Sequence, residues 1–206
     1  MNNKTKELFL KTADVIIANK EYLTELDAAI GDGDHGINLA RGFKKLKGKL
    51  ENDNFESRNE LLKLTAMTLI SNVGGASGPL YGTAFLNISK VISDTELNLA
   101  DLIEIAEEAI AGIQKRGKAE AGEKTMLDTI IPAAESLKKS RDNKSDLESA
   151  LNNCLEAAEI GMKNTIEMQA TKGRASYLGE RSVGHQDPGA TSSYLMIRTF
   201  IENYLK

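Results

Sequence analysis

The sequence predicts an all-α domain, and three features carry that expectation. Apolar residues recur with helical spacing, no segment alternates with period two, and Asn-Gly or Asp-Gly hairpin signals are missing apart from Asp32-Gly33. At 206 residues, 41% hydrophobic and 27% charged, the chain has one domain's length and enough apolar mass for a core. We expect a single domain, 1–206, of about eight antiparallel helices in an up-down bundle, without a linker or internal repeat.

In chain order, helices are expected over 4–19, 38–50, 58–73 and 79–92, the last opening at Pro79, a residue suited to a first helical turn. The cleanest stripe follows: Leu99, Leu102, Ile103, Ala106, Ala109, Ile110 and Ile113 stand at i, i+3, i+4 and i+7 spacing. Lys115 and Arg116 close that helix and Gly117 stops it. Thr125 with Asp128 forms an N-cap pattern for a helix over 125–140. Ser145 and Glu148 fit a capping box opening a long helix striped by Leu147, Leu151, Leu155, Ala158, Met162 and Ile166. Asp187-Pro188-Gly189 sets the turn into a last helix, 190–205.

Composition narrows the function. A net charge of −4 argues against a nucleic-acid surface. The single cysteine, Cys154, excludes an internal disulfide framework and a cysteine zinc site, which fits a reducing cytoplasm. No apolar run approaches the ~20 residues of a membrane helix, and Met1–Thr12 has no signal-peptide core.

The connections form two sets. Segments 51–57, 93–97 and 141–145 are short and polar, with no Gly, Pro or His. Segments 27–38, 72–83, 117–128 and 171–191 hold thirteen of the seventeen glycines, both histidines and two of the three prolines. The sets alternate along the chain. With neighbouring helices antiparallel, all four glycine-rich segments meet at one end, which is where a site is expected.

The densest of them is Asp27-Ala-Ala-Ile-Gly-Asp32-Gly-Asp34-His35-Gly36-Ile37-Asn38. Gly31, Gly33 and Gly36 match the dinucleotide fingerprint only as a string: no strand precedes them, and Asp32 and Asp34 would repel a pyrophosphate packed directly beside them. An EF-hand fails because Ile37 stands where that register requires glycine. Three carboxylates this close suit hard cations such as magnesium bridging to phosphates; Asx turns and helix caps are the plainer alternative. Gly74-Gly75-Ala76-Ser77-Gly78-Pro79 brings free N–H groups and a hydroxyl to a helix start, which suits an anion, though a plain helix connection needs no more. Gly117 to Thr125 misses the Walker A spacing by one residue and lacks its strand; Lys124 could still meet an anion there. In the long segment from Gly173 to Gly189, Arg174 and Arg181 are candidate phosphate forks. His35 and His185 both fall at this end, but the carboxylates argue against a histidine zinc site. Cys154, on a helical stripe, is expected to be buried and inert. Together these residues point to a helical protein that binds a magnesium nucleotide or polyphosphate, with a non-catalytic binding module left open.

Over essentially its whole length the chain resembles the nucleotide-binding L subunits (DhaL) of phosphotransferase-system-dependent dihydroxyacetone kinases. The resemblance rests on Asp27 through Gly36, Gly74 through Pro79, Arg116 through Met126, Lys172 through Arg181 and Gly184 through Ala190. It implies a barrel of eight antiparallel helices with nucleotide at one end. It also implies ADP held in place and cycling with ATP, together with two Mg²⁺ ions. In that family a phosphohistidine of an M subunit charges the ADP, and the ATP formed phosphorylates dihydroxyacetone on a K subunit. By motif match Asp27, Asp32 and Asp34 would ligate Mg²⁺. His35, Gly36, Ile37, Asn38, Ala76 and Ser77 would line the phosphates, and Gly117, Met126, Arg174, Asp187, Pro188 and Gly189 would complete the nucleotide pocket. An ATP-dependent relative with exchangeable nucleotide is the alternative within the resemblance. A homodimer is left open, and no nucleic-acid or membrane partner is expected.

Overall fold

A computed structural model describes residues 2–205, and among them it holds nine α-helices, one 3-10 segment and no strand. The helices are α1 (Asn2–Ala18), α2 (Lys20–Ile30), α3 (His35–Asn52), α4 (Arg58–Asn72) and α5 (Ser77–Val91), then α6 (Leu99–Gly117), α7 (Leu127–Asp142), α8 (Leu147–Asn164) and α9 (Pro188–Tyr204). The 3-10 segment is Arg174–Ser182.

The class is as expected and the count is not: nine helices replace eight because Lys20–Ile30 is helical. Its buried stripe is Leu23, Asp27 and Ile30, so a carboxylate occupies a core position and hides the apolar period. The break between α1 and α2 is equally quiet. Asn19 turns at φ −93°, ψ 14°, yet its N–H still donates to Val15 O, and no Gly or Pro marks the step. A second correction concerns α8. Its N-cap is Asp146 rather than Ser145, with Asp146 Oδ1 accepting from Ser149 N and Oδ2 from the Ser149 hydroxyl, both at 2.8 Å. At α6 the capping box is Asn98 with Asp101, and Lys118 takes the left-handed position after Gly117, at φ 52°.

Packing follows the chain. Each helix from α3 to α9 packs on the next, while α1 packs on both α3 and α9, which closes a circuit of neighbours. α2 lies against α3, α9 and the 3-10 segment. Phe43, Leu46, Leu69, Ile113 and Leu127 anchor one buried cluster; Leu102, Leu137, Leu151 and Ile201 anchor a second, and Ile30, Ala170 and Ala175 form a small third. Each of these Leu, Ile and Phe side chains contributes roughly 1.5–3 kcal/mol through burial. Inside the circuit the apolar faces of α1 and α5–α9 surround a cavity of about 790 Å³, walled by residues such as Phe9, Phe85, Ile130 and Phe200. Ile113 belongs both to this wall and to that of a second, polar cavity.

Candidate functional site

The polar cavity encloses about 490 Å³ and takes its walls from all four glycine-rich segments. The first gives Asp27, Asp32, Asp34 and His35; the second Gly74, Gly75, Ala76 and Ser77; the third Gly117, Lys124 and Met126; the fourth Arg174, Asp187, Pro188 and Gly189. Leu80, Ile113, Ala119 and Met126 add apolar surface.

Asp27 organises the carboxylate corner. From the inner side of α2 its Oδ2 accepts the backbone N–H of Asp34 at 2.8 Å and of His35 at 3.0 Å. One side chain thus folds the 31–34 turn back on its own helix and satisfies the start of α3. The turn needs its glycines. A Cβ on Gly31 would land on the Asp27 carboxylate, and Gly33 sits at φ +69°, where L side chains are strained. Asp27, Asp32 and Asp34 each bring an oxygen into a cluster spanning no more than 4.8 Å. At an effective dielectric of about 20, like charges at that distance repel by about 3 kcal/mol per pair. Arg174 Nη1 stands 3.1 Å from Asp32 Oδ2, and its side chain is largely exposed. An all-oxygen anionic donor set of this kind fits a hard divalent cation.

Beneath the cavity runs a buried polar chain. His35 Nδ1 meets the Ser77 hydroxyl at 3.1 Å and His35 Nε2 meets Ser192 Oγ at 2.9 Å. Tyr81 OH bonds Ser192 Oγ at 2.7 Å and Ser193 Oγ at 2.9 Å, and donates to Gly189 O at 3.2 Å. Burial lowers the His35 pKa to about 4, so the ring is neutral and serves two hydroxyls. Burial likewise pushes the Tyr81 phenol up to about 12, keeping it a donor.

Two helix starts treat anions differently. α5 begins at Ser77 with Ala76 before it and no side-chain cap, so its first N–H groups are free for an anion. α9 is capped by Asp187, which accepts from Ala190 N at 2.6 Å and is followed by Pro188 at the first helical position. Burial raises the Asp187 pKa to about 7, against the pull of the Ala190 N–H and the nearby Lys124 ammonium. Thr125 is not the N-cap of α7, which is Met126, but stands one residue before it: Asp128 Oδ2 accepts from Thr125 N at 2.7 Å and Thr125 Oγ1 accepts from Leu127 N at 3.2 Å.

Not every expected residue reaches the cavity. Gly36, Ile37 and Asn38 are absent from its lining. Gly36 instead lets α3 approach α2, since a Cβ there would strike Lys20 O and Thr24. Ile37 is 47% exposed. Asn38 Oδ1 accepts from Arg41 Nη2 at 2.8 Å, while Arg41 Nε donates to Asn72 O, joining α3 to the end of α4. His185 and Arg181 are exposed and outside the lining, and the Lys124 ammonium is taken up by backbone carbonyls. Conversely, Arg116 and Lys172 line the cavity unforeseen. The available signal was their place immediately before Gly117 and Gly173, each at the edge of a glycine-rich segment.

Comparison with known proteins places the chain in a family. Residues 29–202 match the DAK2 domain model. The chain is 48% identical over 198 residues to the PTS-dependent dihydroxyacetone kinase, ADP-binding subunit DhaL, of Lactococcus lactis, covering 96% of this chain and 95% of that one. It is 46% identical over 189 residues to the PEP-dependent dihydroxyacetone kinase, ADP-binding subunit DhaL, of Escherichia coli, covering 91% and 90%. The dihydroxyacetone kinase from C. freundii, solved in complex with AMP-PNP and Mg²⁺, superimposes with a TM-score of 0.75 at 22% identity; the match covers 98% of this chain and 34% of that one, so it speaks for the fold alone. The chain belongs to the DAK2-domain family and, within it, to the DhaL-type ADP-binding subunits.

Proposed function

We propose that this chain is the ADP-binding subunit of a phosphoenolpyruvate-dependent dihydroxyacetone kinase. ADP in the polar cavity accepts a phosphoryl group from the phosphohistidine of an M subunit, and the ATP formed phosphorylates dihydroxyacetone held by a K subunit. The observation that carries this reading is one cavity in which a three-carboxylate cluster, an uncapped helix start and an apolar wall meet. The relatives named as ADP-binding subunits support it. A cytoplasmic setting belongs to the proposal, in keeping with the single free cysteine.

Asp27, Asp32 and Asp34 are the residues that would hold two Mg²⁺ ions. Bound there, the ions would neutralise the diphosphate and polarise the phosphoryl group under transfer. The protein's own part is positioning. Asp27 is fixed by the two amides it accepts, so its second oxygen needs no reorganisation to bind. Arg174 can exchange Asp32 for a phosphate oxygen through its planar fork. The free N–H groups at Ser77 offer a further phosphate contact, and neutral His35 holds the Ser77 hydroxyl in place. Leu80, Ile113 and Met126 offer a flat apolar seat for a base.

Native mass spectrometry of the purified chain tests the proposal, with one ADP and two Mg²⁺ per chain as the expected load. Mixed with K and M subunits and a phosphoenolpyruvate-driven donor, the chain is expected to support dihydroxyacetone phosphate formation. An empty chain that supports none would sink the proposal. Rapid exchange of labelled ATP would replace it by the ATP-dependent arrangement. The same spectra report whether the chain pairs with itself.

A further inference from the structure

Lys124 is 1% exposed, and its ammonium donates to three backbone carbonyls, those of Thr165, Met168 and His185. A buried ammonium is costly unless its three donors are all used, and here each has an acceptor. Asp187 and Glu167 add favourable charge. The backbone at Lys124 takes φ 61°, a left-handed position that non-glycine residues hold only where the surroundings dictate it. That conformation and that side chain are both committed to joining the α6–α7 connection to the α8–α9 connection.

The joint is part of the cavity wall, where Lys124 itself is a lining residue. Met126, two residues beyond Lys124, forms part of that wall, as does Asp187, two residues beyond His185. Thr165 serves both sides: its carbonyl receives the ammonium and its hydroxyl receives Asp187 N at 3.0 Å. The two walls lie close together, since a Cβ added to Gly189 would come within 3.5 Å of Met126 N.

We infer that Lys124 is a positioning residue for the nucleotide: its ammonium, seated in the Thr165–Met168–His185 carbonyl cage, sets the spacing between the Met126 wall and the Asp187–Gly189 turn. The inference rests on the ADP-binding reading and extends it to a residue that need not touch the ligand. The cage is in effect a built ammonium site, filled from within the chain.

The experiment is calorimetry with ADP and Mg²⁺ on wild type, Lys124→Met and Lys124→Gly, with circular dichroism as the check on folding. Lys124→Met keeps the apolar stem and removes the charge; its ADP affinity is expected to fall about tenfold or more as the walls lose their fixed spacing. Lys124→Gly suits the left-handed backbone and leaves the cage open. There n-butylammonium, which matches the missing side chain, is expected to restore most of the affinity, while tetramethylammonium, with equal charge and no N–H, is not. Wild-type affinity in Lys124→Met overturns the inference, and so does a folded Lys124→Gly that n-butylammonium fails to rescue or that both cations rescue alike. Should the variants not fold, the ¹⁵Nζ resonance of Lys124 in the wild type decides. It is expected to shift in step with ADP·Mg²⁺ occupancy, and an unmoved signal overturns the inference. A wild type that binds no ADP overturns the nucleotide reading instead.

Discussion

Asp187 serves two ends that pull its proton in opposite directions. As the N-cap of α9 it accepts the Ala190 N–H, which favours the carboxylate, but burial dominates and raises its pKa to about 7. In the unfolded chain the carboxyl titrates near its ordinary value, so between about pH 4 and 7 the folded state holds a proton the unfolded state has lost. Stability from this group is therefore present at the acid side and lost as pH rises through 7. Asp187→Asn keeps the cap acceptor and removes the titration. Urea unfolding of the ligand-free chain is expected to show the wild type losing roughly 2–4 kcal/mol relative to Asp187→Asn between pH 5 and pH 8. A constant difference would show that the site does not titrate there. Asp32 is tested differently. Asp32→Ala removes one of three clustered oxygens and the partner of Arg174 at the surface, so helical content should survive while retained ADP disappears from the denatured protein's chromatogram. Asp32 and Asp34 were legible because charge crowding is local in sequence. Arg116 and Lys172 were not, because a basic residue beside a glycine also serves as an ordinary helix-end charge.

Helices in this fold approach each other where a side chain is missing, and two glycines separate that effect from helix propensity. Gly161 on α8 faces the backbone carbonyl of Asp128 on α7, and a Cβ would land on that oxygen. Gly48 on α3 has nothing within 4 Å of where its Cβ would lie. Gly48→Ala should stabilise the chain by about 0.5–1 kcal/mol through lower unfolded-state entropy, whereas Gly161→Ala should destabilise it by about 1–3 kcal/mol through overpacking. Thermal melts of the pair check both signs, and equal shifts would deny the close approach of α7 and α8. Legibility at this scale followed contrast in the pattern. α6 was plain because its stripe is purely apolar and its end is marked by Gly117. α2 was hidden because Asp27 occupies its buried stripe and Asn19 breaks the chain without Gly or Pro. The Ser145-x-x-Glu148 string hid the cap at Asp146, which satisfies Ser149 N in the structure, because Asp-x-x-Ser forms no capping-box string.

At the scale of the molecule, alternation of loop chemistry was enough to place four distant segments around one cavity, because short connections force consecutive helices side by side. The apolar cavity of about 790 Å³ had no such signal: inward-facing residues that fill a core and those that surround a void share one period. The convergence has a thermodynamic consequence. A ligand gripped by residues from 27 to 189 meets α2, α3, α5, α6, α9 and the 3-10 segment, so binding should stabilise the fold as a whole rather than one loop. A ligand that binds only the folded state at about 100 times its Kd adds about 2.7 kcal/mol. For a chain of this size each kcal/mol moves Tm by roughly 2–4 °C, so saturating ADP with Mg²⁺ should raise Tm by about 5–11 °C in one cooperative transition. Removing the metal with EDTA while ADP remains should cancel most of that rise, because the diphosphate then faces three clustered carboxylates without a cation between them. Scanning calorimetry of the three states distinguishes the cases. A rise that survives EDTA would mean that the nucleotide is held by the cavity's cationic side chains and the α5 helix start without metal, and that the carboxylate cluster is a turn-forming device rather than the seat of the metal.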